Sequence, residues 1–184
     1  MTRRRRLADS PVLKLSLRKL LAAITMLVVA TLALGGLAAG ASQSGRAPSF
    51  TVTTIDGKTF TLAAQRGKVV VVDFLQAGCA SCAVQVPVLS RSASRFTSKG
   101  VEVLVLDVSG GSASALRSYY RGELGASKRL LVAADKGFRV AQRYRVTAVG
   151  MTYVVGRDGR IRWQGLWLGK TNDLLRAIRQ AAAA

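Results

Sequence analysis

Histidine is absent from this chain of 184 residues, and cysteine, proline and acidic residues are scarce. Without histidine there is no base for Ser–His–Asp or Cys–His catalysis, and no imidazole ligand for a zinc hydrolase or a Cys/Cys/His copper site. These classes are therefore excluded. The two cysteines are also too few for a disulfide-stabilised scaffold. Nine acidic residues stand against 28 basic ones, which gives a formal net charge of +19.

The two cysteines, Cys79 and Cys82, form a C-x-x-C motif directly after the strand-like run at 69–74. A disulfide between them closes a loop too small to stabilise the fold much. Their value is therefore chemical, because the first thiol can attack a partner's disulfide and the second can resolve the mixed disulfide. The motif favours redox chemistry, while half of a metal site and plain packing stay open as alternatives.

The N-terminal region has a basic flank followed by a long uncharged run. Residues 20–39 carry no charge, and this length is about the ~20 residues with which a helix crosses a bilayer. The small residues Ala39, Gly40 and Ala41 also fit the cleavage site of a signal peptide. We favour an uncleaved anchor, with a cleaved signal and secretion as the alternative. The basic flank then stays in the cytoplasm, and residues 42–184 are extracytoplasmic.

The sequence predicts four regions: a basic cytoplasmic tail at 1–19, a transmembrane anchor or signal sequence at 20–41, a linker at 42–47 and one domain at 48–184. The domain begins with a β-hairpin at Asp56-Gly57. Strands and helices then follow in the order β-α-β-α-β-α-β-β-α. This alternation predicts an α/β fold with a central mixed sheet flanked by helices.

Two helices of this domain carry specific expectations. The helix predicted at 80–99 places Val84, Val88 and Leu89 on one face, and Pro87 should kink it. The last helix, at 171–183, should have Thr171 as its N-cap.

The charge is spread along the domain. Residues after position 41 include 21 Lys and Arg against eight Asp and Glu, a net charge near +13. The basic residues are scattered singly and are not interleaved with aromatics, so no nucleic-acid partner is expected. The charge favours an anionic membrane surface and the stabilisation of a thiolate. A solvated arginine-rich surface without a specific partner stays open.

Several motifs in this order resemble those of the TlpA/ResA-like family, the membrane-anchored extracytoplasmic thiol–disulfide oxidoreductases of bacteria. The resemblance covers about residues 47–168 and includes the position of the dithiol at the start of the helix after the first central strand. The motifs are Ala47-Pro48-Ser49-Phe50, Asp56-Gly57, the run 67–74, Cys79-Ala80-Ser81-Cys82, Tyr144-x-Val146 and Arg157-Asp158-Gly159-Arg160-Ile161. It implies a thioredoxin-like fold, protein thiols and disulfides of the cell envelope as partners, and an electron donor or acceptor in the membrane. No cofactor is expected beyond the redox-active disulfide Cys79–Cys82.

Three residues are expected to carry the chemistry. Cys79 is the predicted nucleophile, because a thiolate at a helix N-terminus is stabilised there, and Cys82 is the predicted resolving thiol. The resemblance implies that Asp73 moves a proton to or from the second thiol, and burial would raise its pKa. The alternative is a solvated Asp73, or one paired with Lys68.

The family's pattern is not followed at three positions around the dithiol. Gly78 stands where a tryptophan is usual, Gln85 where a glutamate is common, and Gly150 where a cis-proline lies across from the dithiol. We predict that Gly78, Gly150 and Met151 bind the partner chain. Trp163, Trp167 and Tyr153 are expected to be packing residues.

Two functional hypotheses follow. The first is an enzyme that reduces, oxidises or isomerises disulfides of envelope proteins. The second is a binding module with little redox turnover, which either docks partners or carries copper(I) on Cys79, Cys82 and Met151. No protein metal site is otherwise expected.

Overall fold

A computed structural model describes residues 45–184. The predicted tail at 1–19, the predicted anchor or signal at 20–41, and residues 42–44 of the predicted linker lie outside the described residues. Within 45–184, no helix combines the length and the apolar character that a bilayer crossing requires.

The described region begins with a two-stranded antiparallel ribbon. Strand β1 (Thr51–Thr53) pairs with β2 (Thr59–Thr61). Gly57 lies in the intervening turn with a φ of 81°, which glycine adopts without the steric cost of a Cβ. The ribbon is attached to the main sheet because the amide of Ile55 donates to the carbonyl oxygen of Val132 at 2.7 Å.

A five-stranded mixed sheet forms the centre of the domain, as the sequence predicts. Its spatial order is β5-β4-β3-β6-β7, with β3, β4 and β5 parallel and β6 and β7 antiparallel to their neighbours. The strands are β3 (Val69–Leu75), β4 (Val101–Asp107), β5 (Leu130–Ala134), β6 (Met151–Val155) and β7 (Ile161–Leu166). All seven residues of β3 are buried, in keeping with the run of four valines that begins the strand.

Helices cover both faces of this sheet. They are α1 (Ala80–Ala83), α2 (Val86–Phe96), α3 (Ala113–Arg117), α4 (Arg139–Arg143) and α5 (Thr171–Ala183). Short 3-10 turns at Leu62–Gln65, Thr97–Lys99 and Lys136–Phe138 and a π-helical segment at Ser118–Glu123 complete the elements. Alternating strands and helices therefore produce the predicted thioredoxin-like layering.

The helix predicted at 80–99 is divided into two helices. The break lies at Val84 and Gln85, and α2 starts with Pro87 in its first turn, where the missing N–H of proline costs no hydrogen bond. The prediction that Val84 shares one face with Leu89 is wrong: Val84 lies at the break and its side chain is 60% exposed, whereas Leu89 is buried. The predicted N-cap Thr171 is wrong as well, since the N-cap position falls on Lys170, which makes no side-chain cap.

The two faces of β3 contribute to two separate hydrophobic cores. Val69, Val71 and Leu75 pack on the face covered by α2 and α5. Val70, Val72 and Phe74 pack on the face covered by α4 and the N-terminal ribbon. Each fully buried side chain of this size stabilises the fold by roughly 1.5–3 kcal/mol. By alternation along the strand, Asp73 faces the first of these cores, together with Cys82.

Candidate active site

The dithiol lies just beyond the carboxyl end of β3. The chain leaves β3 at Leu75, turns at Gly78 with a φ of 82°, and places Cys79 at the N-cap of α1. The Cys79 Sγ accepts a hydrogen bond from the amide of Cys82 at 3.3 Å. Both thiols are free; Cys79 is half-buried, whereas Cys82 is only 2% exposed.

The surroundings shift the pKa values of the two thiols in opposite directions. Hydrogen bonds from the Cys82 thiol, first, and from the Ser81 hydroxyl lower the pKa of Cys79. The Cys79 Sγ and the Ser81 Oγ are 3.2 Å apart. Burial, and to a lesser extent Cys79 and Asp73, raise the pKa of Cys82 to about 11. The more accessible thiol, Cys79, is thus the one that ionises more readily, which is the condition for a nucleophile.

Asp73 is buried on the central strand β3, on the face of the sheet that packs against Cys82. Thr152, directly opposite on β6, donates its hydroxyl to the Asp73 Oδ2 at 2.6 Å. The Nε1 of Trp167 donates to the same oxygen at 3.1 Å. Burial raises the pKa of Asp73 to about 6, against the lowering effect of these two hydrogen bonds. The alternative pairing with Lys68 is wrong, because the Lys68 ammonium pairs with Glu102 at 2.9 Å.

A second buried carboxylate, Asp107, fixes the loop that precedes Cys79. Asp107 ends β4, beside Leu75 in the sheet register. Its Oδ2 accepts hydrogen bonds from the amide of Ala77 at 2.8 Å and from the hydroxyl of Tyr120 at 2.7 Å. Its Oδ1 accepts from the amide of Ser109 at 2.8 Å. The carboxylate therefore connects the loop of the dithiol to the π-helical segment.

The predicted partner-binding residues occupy different environments. Gly78 is exposed, Met151 is half-buried, and Gly150 is buried with a φ of 84°. The amide of Gly150 donates to the carbonyl oxygen of Phe74 at 2.6 Å, which ties this loop to β3. The Met151 Sδ lies 3.5 Å from the hydroxyl of Tyr153, a residue that also packs in the core as predicted.

Gln85 joins the dithiol segment to the Gly150 loop. Its Nε2 donates to the carbonyl oxygen of Ser81 at 3.1 Å. The same nitrogen lies 2.8 Å from the place that a Cβ on Gly150 would occupy. The amide of Gln85 therefore fills the space that the absence of a side chain at Gly150 leaves open.

Thr152, Trp167, Asp107 and Tyr120 are polar contacts of the site that the sequence did not reveal. Trp167 is buried in the core, as predicted, but its indole also contacts Asp73. The alternation of β6 could have placed Thr152 on one face with Val154, but not opposite Asp73. Across 45–184, His, Cys, Asp and Glu nowhere gather in groups of three or more that could hold a metal ion.

Comparison with characterised proteins gives relatives of one kind. The chain is 27% identical over 115 residues to a thiol-disulfide oxidoreductase ResA of Bacillus cereus and 28% identical over 115 residues to that of Bacillus anthracis. Each match covers 62% of this chain and 64% of the relative, so it spans less than two thirds of those proteins.

Solved structures with the same fold extend over most of the domain. A Chlorobium tepidum protein named as a candidate thiol:disulfide interchange protein DsbE superimposes with a TM-score of 0.68 at 21% identity, over 78% of this chain and 99% of its own. A secreted Mycobacterium tuberculosis disulfide oxidoreductase homologous to E. coli DsbE gives 0.60 at 20% identity, over 71% and 95%. The AhpC/TSA family profile matches residues 44–164. The chain belongs to the AhpC/TSA family, as a TlpA/ResA-like member with a thioredoxin fold.

Proposed function

We propose that the chain is a thiol–disulfide oxidoreductase that exchanges disulfides with other proteins through Cys79 and Cys82. The observation that carries this proposal is that the two thiols differ in burial and that their pKa values are shifted in opposite directions. Cys79 is accessible and its pKa is lowered, whereas Cys82 is buried and its pKa is raised. The named activity of the Bacillus relatives supports the same conclusion.

The first half of the reaction uses the accessible thiol. The Cys79 thiolate attacks one sulfur of a partner's disulfide, a new sulfur–sulfur bond forms, and the partner's other sulfur leaves as a thiolate that takes a proton from water. Hydrogen bonds from Cys82 and Ser81 stabilise the attacking anion before the reaction. Cys79 is thereby held in a mixed disulfide with the partner.

The second half uses the buried thiol. Cys82 loses its proton to the Asp73 carboxylate, which acts as a general base, and its sulfur then attacks the Cys79 Sγ. The Cys79–Cys82 disulfide forms, and the partner's second sulfur leaves and is protonated. Two electrons have passed from the dithiol to the partner. The same steps in reverse oxidise a partner dithiol.

The partner chain would lie over the exposed edge of the site. Gly78 presents backbone without a side chain beside Cys79, and Met151 presents a flexible thioether that adapts to different apolar contacts. Gly150 directly precedes Met151, and the side-chain amide of Gln85 packs against it. Gly78 and Met151 supply the accessible contacts of the proposed binding surface, and the buried Gly150 supports its loop. The absence of a side chain at Gly78 leaves the Cys79 sulfur accessible to a bulky protein disulfide.

The proposed location is the extracytoplasmic side of a cell membrane. The support is the uncharged run at 20–39 behind a basic flank, together with the absence of further cysteines that would oxidise unproductively there. Envelope proteins would then be the substrates, a membrane protein the electron donor or acceptor, and the anionic membrane surface a nonspecific contact for the basic domain. The Cys79–Cys82 pair would serve without another cofactor and without a nucleic-acid partner.

Trapping of the mixed disulfide tests this function. The 184-residue chain is purified and incubated with oxidised glutathione, and mass spectrometry follows the adducts. We expect Cys82→Ser to accumulate glutathione on Cys79, Cys79→Ser to remain unmodified, and the wild type to proceed to the internal disulfide. Equal labelling of both variants would contradict the assigned roles.

The direction of electron flow follows from the reduction potential of the pair, measured by equilibration with glutathione buffers. A value near about −270 mV is that of a reductant, and one near about −120 mV is that of an oxidant. If no internal disulfide forms under any buffer ratio, the proposed function is wrong.

A further inference from the structure

The carboxyl group of Asp73 is held by only one of its two oxygens. Thr152 and Trp167 both donate to Oδ2, at 2.6 and 3.1 Å, and the Trp167 indole also donates to the Thr152 hydroxyl at 2.8 Å. Oδ1 is buried and accepts no hydrogen bond within residues 45–184. Two donors on one oxygen fix the rotation of the carboxyl group and leave the other oxygen free.

The carboxyl group of Asp73 lies on the face of the sheet that carries the resolving thiol. Asp73, Thr152 and Trp167 come from β3, β6 and the end of β7, and Trp167 packs in the same core as Cys82. The negative charge of Asp73 is one of the causes that raise the pKa of Cys82, so the carboxylate acts on the thiol electrostatically.

Within residues 45–184, Asp107 and Tyr120 also face this core, Asp107 by the alternation of β4. The hydroxyl of Tyr120 donates to the Asp107 Oδ2 at 2.7 Å. Cys79 is the remaining thiol. The two helices that cover this face contribute apolar side chains, namely Val86, Leu89, Ala93 and Phe96 from α2 and Leu174, Ala177, Ile178 and Ala181 from α5.

We propose that Thr152 and Trp167 are positioning residues that hold the Oδ2 of Asp73 and so keep Oδ1 as the acceptor of the Cys82 proton. This inference rests on the proposed function. In the step concerned, the sulfur–hydrogen bond of Cys82 breaks and the proton passes to Oδ1. The electron pair stays on sulfur and forms the bond to the Cys79 Sγ, and the partner's sulfur leaves with the electrons of the mixed disulfide. Asp73 later returns the proton to water.

The test separates the two sulfur steps by their kinetics. The reduced 184-residue chain reacts with 5,5′-dithiobis(2-nitrobenzoate), and the coloured thiolate is released once when Cys79 attacks and once when Cys82 resolves the adduct. Both rates are measured across pH for the wild type and the variants. We expect Thr152→Val and Trp167→Phe to slow the second release about tenfold near neutral pH and to shift its pH midpoint upward, because Asp73 then loses a donor.

Matched variants exclude a merely structural effect. Thr152→Ser keeps the hydroxyl and should restore the second release to near the wild-type rate. Trp163→Phe removes the other tryptophan of the chain, which packs against the same core, whereas the side-chain donors to Asp73 within residues 45–184 are Thr152 and Trp167. This variant should leave both releases unchanged. The first release should stay within about twofold of wild type in every variant, because Cys79 is activated by Cys82 and Ser81.

Two results would overturn this inference alone. One is an unchanged second release in Thr152→Val and Trp167→Phe when Asp73→Asn slows it. The other is an equal slowing of both releases. If Trp167→Phe does not fold, the rates of the second release in Thr152→Val and Thr152→Ser decide whether the inference holds. A wild-type chain that gives no second release at all would instead disprove the proposed function, and with it this inference.

Discussion

The side-chain amide of Gln85 occupies the space directly above the Cα of Gly150, where any other residue would carry its Cβ. The positive φ of Gly150 adds a second reason for glycine at this position. The two residues lie in different elements, one at the start of α2 and one before β6. Their contact therefore couples the end of the dithiol segment to the loop across from it.

The substitution Gly150→Ala should lower the free energy of unfolding by about 2–4 kcal/mol. A φ of 84° costs a residue with a Cβ about 1–2 kcal/mol, and displacing the Gln85 amide adds an overpacking cost of about 1–3 kcal/mol. Urea denaturation of the reduced chain, followed by circular dichroism, measures the difference.

Gly110→Ala provides the matched control, because Gly110 has a φ of 79° with open space around its Cα. Gly110→Ala should lower the free energy of unfolding only by the cost of the positive φ, about 1–2 kcal/mol. In the double variant Gly150→Ala, Gln85→Ala, the overpacking cost should disappear, and the free energy of unfolding should rise by that amount. Purely additive losses in the double variant would show that Gln85 does not fill this space.

Asp73→Asn should stabilise the reduced protein at pH 8 by about 3 kcal/mol and leave its stability unchanged below pH 4. Because folding raises the pKa of Asp73 from 3.8 to about 6, the stability due to its protonated form is complete below about pH 4. That stability is lost as the pH rises through about 6. Denaturant unfolding of both proteins at several pH values gives the curve, and a constant difference from pH 4 to 8 would contradict the raised pKa.

Ser81→Ala should slow the alkylation of Cys79 at mildly acidic pH by roughly two- to tenfold, which corresponds to the loss of one hydrogen bond of about 0.5–1.5 kcal/mol. The Ser81 hydroxyl is one of the groups that lower the pKa of Cys79. Iodoacetamide labelling as a function of pH, in a Cys82→Ser background, measures this effect.

Ser112→Ala is a suitable comparison for this measurement, because Ser112 is a serine at another helix N-terminus, where its hydroxyl accepts from the amide of Ala115. It should not change the labelling rate of Cys79. A rate that is the same in Ser81→Ala as in its parent would remove Ser81 from the activation of the nucleophile.

Tyr120→Phe should destabilise the protein by about 1.5–3 kcal/mol, because the buried carboxylate of Asp107 loses a charge-assisted hydrogen bond. The neighbouring Tyr119→Phe is the control and should change stability by less than about 0.5 kcal/mol. Thermal unfolding compares the two. An equal effect of both substitutions would mean that the hydroxyl of Tyr120 does not anchor Asp107.

The sequence predicted the architecture well because the information lies in local patterns. The β-branched run of β3 and the Cys79–Cys82 spacing identify the central strand and the dithiol without any knowledge of distant residues. The proline in the first turn of α2 similarly marks the break in the helix, although it did not reveal which way Val84 would turn.

The polar contacts around Asp73 and Asp107 were not predictable in the same way. Trp167 is 94 residues away from Asp73, and Tyr120 reaches Asp107 from a π-helical segment. Such contacts depend on strand register and on the angle of each side chain within the closed core. Packing of that kind is encoded jointly by many residues, so no single motif predicts it.

Trp167 also gives the molecule an internal optical probe. The chain has two tryptophans, and the indole N–H of Trp167 donates a hydrogen bond to Asp73, whose pKa is raised to about 6. Indole emission responds to a neighbouring charge. In a chain carrying Trp163→Phe, the fluorescence of Trp167 should therefore change as Asp73 titrates, and the ionisation of a buried group could be followed without an attached label.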